Sequence, residues 1–278
     1  MSSSGMVLLS VLAGALYGVG SVCAWMNLRR ALAFPRAPWA LALSGVVTQA
    51  GALLWGWAAS GRVAVPGGAP GSLGLLALCV GGGYLLFGFR QRSPWWPALV
   101  LPLPAVASLL AGVWGHARAG AGGAAFGVGW TAVHVVPTVA GIAALWSAAV
   151  LCAMYLLTER YLRSSVLSEP FRWLPSLEAL DRLSREALKL AFLLLSLGLA
   201  AGVVRALVYE ELGSRWLLDP KVIGALATWA LVLGVLAAGR RGRFGGRRFA
   251  HLTLVAAALG AFTYIGVDAF LGGRHAGL

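Results

Sequence analysis

Two histidines are the side chains in this sequence best suited to chemistry. His134 lies near the start of a long apolar run, and His275 lies shortly after the last such run. The alternation of runs described below predicts that both lie on one face of a membrane, together with residues 216–221, which read Trp-Leu-Leu-Asp-Pro-Lys. Two imidazoles at one membrane surface are what a bis-histidine haem site needs.

The elements that must position these residues are membrane spans. The chain has 278 residues, 59% of them hydrophobic and 11% charged, with a mean hydropathy of +0.82. The hydrophobic residues occur in long apolar runs, which fit helices that satisfy their own backbone hydrogen bonds in lipid. The sequence therefore predicts an all-α, polytopic integral membrane protein, a single transmembrane domain over residues 1–278. About eight spans are expected, over residues 6–27, 39–59, 73–89, 95–115, 130–158, 187–208, 222–239 and 249–271.

Basic residues predict the orientation of these spans. One set of alternate connections holds sixteen of the 22 Lys and Arg residues and the other set holds six. Because positive residues concentrate in cytoplasmic loops, both termini are expected outside the cytoplasm. The net charge of +13 is thereby explained by a lipid bilayer as partner, and no nucleic acid is expected. We expect a multi-pass protein of the cytoplasmic (inner) membrane.

A few cations depart from this bias and lie at the outer ends of the last three spans. They are Arg205, Arg215, Lys221 and Arg274. Haem propionates would hold such cations through charge-assisted hydrogen bonds. Local pairing with Glu210, Glu211 and Asp219 explains them equally well.

The 216–221 segment also has two interpretations. Asp219 followed by Pro220 and an apolar run is a strong helix start, with Asp219 as the N-cap. Trp216 fits a belt of interfacial aromatic residues or, on a functional interpretation, an apolar surface against a porphyrin.

Other chemistry has little support in the sequence. There is no HExxH motif, clustered carboxylates are absent, and the three cysteines form no CxxC pair. Asp268 is the one acid deep enough in a span to suggest ion coupling.

The connection 159–186 is the longest one on the predicted cytoplasmic side. Its residues 176–188 predict an interfacial amphipathic helix leading into the sixth span.

From Trp130 onward the chain resembles the cytochrome c assembly family of haem-handling membrane proteins, the group that contains CcsA, CcmC and the HemX-like proteins. The matching stretches lie in order at residues 130–135, 155–162, 174–183, 219–221, 227–229, 245–248, 262–267 and 273–275. Residues 130–278 therefore give the best match, and the short chain with eight spans looks closest to the HemX-like branch.

The resemblance implies that His134 and His275 are axial ligands of a non-covalently bound haem b. It implies that residues 216–221 match the tryptophan-rich outer segment between them. Two departures stand out: Leu218 occupies a position that is tryptophan in the family, and Gln49 stands in the second span where an intramembrane histidine is expected.

The first hypothesis is a non-catalytic protein of cytochrome c biogenesis that holds or presents haem at the outer face. Its partners would be another membrane subunit of cytochrome c assembly and an apocytochrome c. Trp216, Leu218 and Asp219 would belong to the haem-binding surface, with Trp216 and Leu218 against the porphyrin, and Arg215, Lys221 and Arg274 would neutralise propionates. The alternative is a HemX-like regulator or scaffold acting through residues 159–186 on an enzyme of tetrapyrrole synthesis. A transporter using Asp268 is a third.

Overall fold

The computed structural model describes residues 2–29, 35–60, 68–88, 93–117, 128–163, 174–208, 216–240 and 245–266. Every regular element in these ranges is a helix, as the composition predicts. The α-helices in these ranges are α1 (Ser2–Arg29), α2 (Ala37–Ser60), α3 (Gly68–Gly88), α4 (Trp95–Val100), α5 (Pro102–Ala117), α6 (Val128–Arg163), α7 (Leu177–Val208), α8 (Pro220–Arg240) and α9 (Gly246–Ala261). A short 3₁₀ helix, Trp216–Leu218, precedes α8, and a π-helical turn, Phe262–Gly266, follows α9.

Seven spans in the described ranges are long and apolar enough to cross a membrane. Helices α4 and α5 together form one of them, Trp95–Trp114, and the apolar part of α3, Pro70–Leu86, is shorter than the rest. The break between α4 and α5 falls at Leu101 because Pro102 has no backbone N–H to continue the ladder. The prediction of an all-α, polytopic membrane protein is confirmed.

The chain divides into two compact units. One is Met1–Gly122 with Thr158–Ser176, and the other is Gly123–Leu157 with Leu177–Leu278. The first unit packs α1 against α2 and α5, and α3 against α2 and α5. At its centre Tyr17 is fully buried, and its ring lies where side chains at Gly45 and Gly81 would otherwise project. The glycines thus let α2 and α3 pack closely around an α1 aromatic.

In its described residues, the second unit is an antiparallel set of four helices, α6 to α9. The contacts that show this are Gly202 with His134, Gly198 with Thr138, and Gly141 with Leu195 between α6 and α7. Trp229 of α8 stacks on Phe192 of α7 with ring centroids 5.6 Å apart. Gly224 of α8 lies against Thr263 after α9. The starts of α6 and α8 therefore share one end of this unit with the end of α7 and the π-helical turn.

Two local expectations differ from the structure. Residues 176–188 were expected to form an interfacial helix leading into the sixth span, whereas Leu177–Val208 is one continuous helix. Leu180, Ser184 and Leu188 are buried along its first half, so packing within the unit extends the span. The glycines and prolines of residues 63–73 predict a loop, but helix α3 begins at Gly68, because Pro70 fits the first turn of a helix.

Candidate functional site

His134 lies in the second turn of α6, at the end of the unit shared by the starts of α6 and α8. Its side chain is half-buried. The ring Nδ1 lies 2.8 Å from the carbonyl oxygen of Gly198 on α7. Since a carbonyl oxygen can only accept a hydrogen bond, Nδ1 is the donor. In the neutral imidazole the proton is then on Nδ1 and the other nitrogen, Nε2, is unprotonated, which is the form that binds a metal.

The backbone around His134 is unusual for a helix interior. Pro137 lies inside α6 and has no N–H, so the carbonyl of Val133 loses its ordinary helical partner. One residue later, the Thr138 hydroxyl donates to the carbonyl oxygen of His134 at 2.7 Å. Side-chain bonds of this kind often accompany a bend in a helix, and here the bond holds the carbonyl of the residue that presents the imidazole.

Two glycines one turn apart on α7 allow this arrangement. A Cβ atom on Gly202 would come within 2.9 Å of His134 Cε1, and one on Gly198 would contact the Thr138 side chain and lie 3.0 Å from its backbone nitrogen. The pattern Gly-x-x-x-Gly is the usual signal for close helix packing in membranes. Sequence reasoning missed Thr138, Gly198 and Gly202, although this pattern and the spacing of four between His134 and Thr138 are both readable in the sequence.

The start of α8 has the predicted helix cap. The backbone N–H of Lys221 donates to Asp219 Oδ1 at 2.8 Å, and Pro220 is the first helical residue. Asp219 and Lys221 are half-buried, whereas Leu218 is 72% exposed. The cap fixes the turn that leads from the 3₁₀ helix into α8. The prediction that Asp219 caps this helix is confirmed.

Several predicted site residues lie outside the part of the chain that the structure describes. These are His275, Arg274 and Arg215, and the side chain of Trp216 is not described either. Asp268 also lies outside it. The described chain ends in the π-helical turn at Gly266, which packs at the same end of the unit as His134 and the start of α8. His275 follows that turn in the sequence.

Gln49 has a structural role in the first unit. It is fully buried on α2, and its Oε1 accepts a hydrogen bond of 2.8 Å from Ser108 Oγ on α5. Its Nε2 packs against Gly74 of α3, where a Cβ would lie at 2.8 Å, and has no protein partner.

Across the described residues, no three His, Cys, Asp or Glu side chains are grouped to hold a metal ion. His251, on α9, is exposed to solvent.

A shallow groove of about 360 Å³ lies on a neighbouring face of α7, against α8. Its walls are apolar apart from Ser196 and Trp229, and Trp229 Nε1 donates to Ser196 Oγ at 2.8 Å. Ser196 Oγ itself donates to the carbonyl oxygen of Phe192 at 2.7 Å, so both polar groups of the groove are already hydrogen-bonded within the protein.

Comparison with known proteins gives a family for most of the chain. Residues 70–275 match the family described as Cytochrome C assembly protein, which is well over half of the chain. The chain belongs to the cytochrome c assembly family. The matched region contains His134, the two α7 glycines, the Asp219 cap and His275.

Curated relatives include the cytochrome c biogenesis protein CcsA of Synechococcus sp. (strain CC9605). It is 32% identical over 167 residues, which are 52% of this chain and 54% of that protein. CcsA of Gloeobacter violaceus is 38% identical over 98 residues, 35% of this chain and 28% of that protein. An uncharacterized 28.8 kDa protein of Azospirillum brasilense is 32% identical over 138 residues, half of each chain. The chain thus spans about half or less of the length of these relatives. No solved structure matches it.

Proposed function

We propose that this chain is a non-catalytic haem-binding protein of cytochrome c biogenesis, which holds or presents haem at the outer membrane face with His134 and His275 as axial ligands. The observation that supports this most is the hydrogen bond from His134 Nδ1 to the Gly198 carbonyl. Family membership supports the setting in cytochrome c assembly. The relatives named CcsA are described as cytochrome c biogenesis proteins.

The hydrogen bond of His134 is of the kind that orients a histidine for metal binding. Histidines that bind metals nearly always donate their other ring N–H to a carbonyl or carboxylate, which fixes the tautomer and the ring plane. Gly198 provides that carbonyl, and Gly202 provides the space in which the ring lies. A histidine with a purely structural role would also donate this bond, so the contact supports ligation, and haem stoichiometry in histidine variants tests it.

The remaining parts of the proposed site follow from sequence and the cap. His275 supplies the second imidazole, and Trp216 and Leu218 offer apolar surface to the porphyrin. Arg215, Lys221 and Arg274 neutralise the propionates. Of these cations Lys221 is the one whose backbone the structure describes, and the Asp219 cap holds its N–H. When bound, haem b is the cargo or signal in this proposal, and the chain's own residues bind and orient it.

The partners proposed are another membrane subunit of cytochrome c assembly and an apocytochrome c. Covalent attachment of haem to an apocytochrome needs thiols, which that partner supplies. The three cysteines of this chain are free, and Cys152 is buried. We assign the chain binding and presentation of haem rather than catalysis.

A second candidate function is a HemX-like regulator or scaffold for an enzyme of tetrapyrrole synthesis. The observation that favours it is the packing of Gln49, which replaces the expected intramembrane imidazole by an amide bonded to Ser108. Leu218, which is exposed and stands where a tryptophan is expected, also favours the regulator or scaffold. In this function the cytoplasmic connection 159–186 would bind the enzyme, and loss of that binding on altering the loop would support it.

The test is haem stoichiometry in protein purified from haem-replete cells, measured as pyridine haemochrome per chain. The double variant H134A/H275A is expected to lose bound haem. The matched control is H251A, which removes an exposed imidazole outside the proposed site and should retain haem at the wild-type level. Full haem stoichiometry in H134A/H275A would refute axial ligation and leave the regulator as the better account.

A further inference from the structure

The end of the second unit opposite His134 presents a cluster of arginines. Along α7, Arg185 and Gly202 are seventeen residues apart, roughly 26 Å at 1.5 Å per residue. This is close to the roughly 30 Å thickness of bilayer hydrocarbon. The Gly202 end contacts His134, so the Arg185 end lies near the other bilayer surface.

Contacts of Arg185 bring three helix ends together there. Its guanidinium lies 4.4 Å from the centroid of the Phe249 ring on α9, and a Cβ on Gly239 of α8 would lie 2.8 Å from its Nη1. It also binds both carboxylate oxygens of Asp181, at 2.8 and 3.0 Å. Asp181 is therefore neutralised by Arg185 and does not offset the charge of neighbouring arginines.

Among the described residues, three further arginines at this end are exposed. They are Arg182, one turn before Arg185, and Arg247 with Arg248, which directly precede Phe249. None of the three forms an ion pair with another described residue. Glu186, the nearest acid after Asp181 on α7, is paired with Lys189 at 2.7 Å. Glu178 is exposed and is the one remaining acid on the first turns of α7. The surface is thus positive.

The depth of this surface identifies its partner. Arg247 and Arg248 begin the span Gly246–Ile265, and no Asp, Glu, Lys or Arg follows them before its end. Phe249 and Ala250 are buried immediately after them. Guanidinium groups at the first turn of a span extend to the headgroup layer, where they meet lipid phosphates. A soluble anionic partner would need these cations beyond the membrane surface.

We propose that Arg182, Arg247 and Arg248 form a binding surface for the headgroup of an anionic phospholipid in the leaflet opposite the His134 end. This surface is independent of the haem proposal. Basic groups at a membrane surface gain about 1 kcal/mol each from anionic lipid, which corresponds to about fivefold in affinity per arginine. Arg185 positions the cluster through Asp181 and Phe249 and is not itself free to bind the headgroup.

The test uses the full chain purified in a neutral detergent and titrated separately with dioleoyl-phosphatidylglycerol, dioleoyl-phosphatidylcholine and inorganic phosphate. Native mass spectrometry counts retained lipid, and thermal unfolding gives the shift in Tm. The wild type is expected to bind phosphatidylglycerol at least fivefold more tightly than phosphatidylcholine. R247Q/R248Q should lose most of that preference.

The matched control is R163Q/K189Q, which removes two cations that already pair with Glu159 and Glu186 on their own helices. It should change phosphatidylglycerol binding by less than twofold. Equal losses in the two double variants would overturn the proposal, and so would equal binding of the two lipids by the wild type, which needs no variant. Inorganic phosphate that displaces phosphatidylglycerol at equal concentration would show a free-phosphate site instead of a lipid site.

Discussion

The imidazole of His134 lies over Gly202, so closely that a Cβ atom at position 202 would come within 2.9 Å of Cε1 and 3.1 Å of Nδ1. The same ring donates to the carbonyl of Gly198, one turn earlier on α7. Two glycines on one helix face thus set both the position and the tautomer of a histidine on another. This is the arrangement on which the proposed site depends.

Gly202→Ala is the first prediction. The added methyl group has to displace the imidazole, and overpacking of this kind costs about 1–3 kcal/mol. We expect a lower Tm of the detergent-purified protein and a reduced haem content. H134A/G202A should recover the Tm relative to G202A, because the alanine at 134 removes the clashing ring. G234A is the matched control, since a Cβ there meets nothing within 4 Å. Equal changes in Tm and haem content in G202A and G234A would contradict the close packing of His134 against Gly202.

The Asp219 cap gives a second prediction. Asp219→Ala removes the acceptor of the Lys221 N–H and is expected to cost about 1 kcal/mol, whereas Asp219→Asn retains an oxygen and should cost less. Thermal unfolding of both variants measures this difference. If the start of α8 positions Lys221 for a propionate, haem affinity should fall in the same order. Equal Tm values for the alanine and asparagine variants would show that the cap does not contribute.

The Gln49–Ser108 pair gives a third prediction, one that should leave haem unchanged. Ser108→Ala removes the donor to Gln49 Oε1 and leaves a fully buried acceptor unpaired. Hydrogen bonds between membrane helices contribute about 0.6 kcal/mol on average, so a small fall in Tm is expected. Q49L/S108A removes both partners and should be closer to the wild type than S108A. A large loss of haem in either variant would mean that Gln49 belongs to the haem site.

Arg185 gives a fourth prediction, at the other end of the unit. Arg185→Lys keeps the charge but loses the two-pronged contact with Asp181 and the flat stacking on Phe249. We expect R185K to lower the Tm, and R185A to lower it further. F249L should lower the Tm of the wild type by more than that of R185A, because the contact is already absent there. Additive effects in this double-mutant cycle would contradict a direct Arg185–Phe249 interaction.

Most of the fold was predictable because a bilayer leaves few choices. Apolar runs long enough to cross it must be helices, and Asp219-Pro220 marks a helix start whose cap the structure contains. The continuity of α7 was not predictable from its charges. The first half of α7 suggests a surface helix because it carries many charged residues, namely Glu178, Asp181, Arg182, Arg185, Glu186 and Lys189. Leu180, Ser184 and Leu188 are nevertheless buried, by contacts between elements that are distant in sequence.

The site was predictable only in part, because its contacts also join elements that are distant in sequence. The choice of His134 came from its place in the topology and from the family resemblance, both of which the sequence contains. The partner of Nδ1 is a backbone carbonyl 64 residues away, and no residue type signals a carbonyl acceptor. Gly198 and Gly202 had a readable pattern, but its target on α6 depends on the register of two antiparallel helices.

The proposed binding of haem iron by His134 is best tested by chemical rescue of His134→Gly. The wild type, purified with haem, is expected to show the sharp reduced absorption bands of a six-coordinate low-spin haem. H134G should lose them, and added imidazole should restore them by occupying the space left by the side chain. A wild-type spectrum without haem, or an H134G spectrum identical to that of haem-loaded wild type, would show that His134 is not a haem ligand.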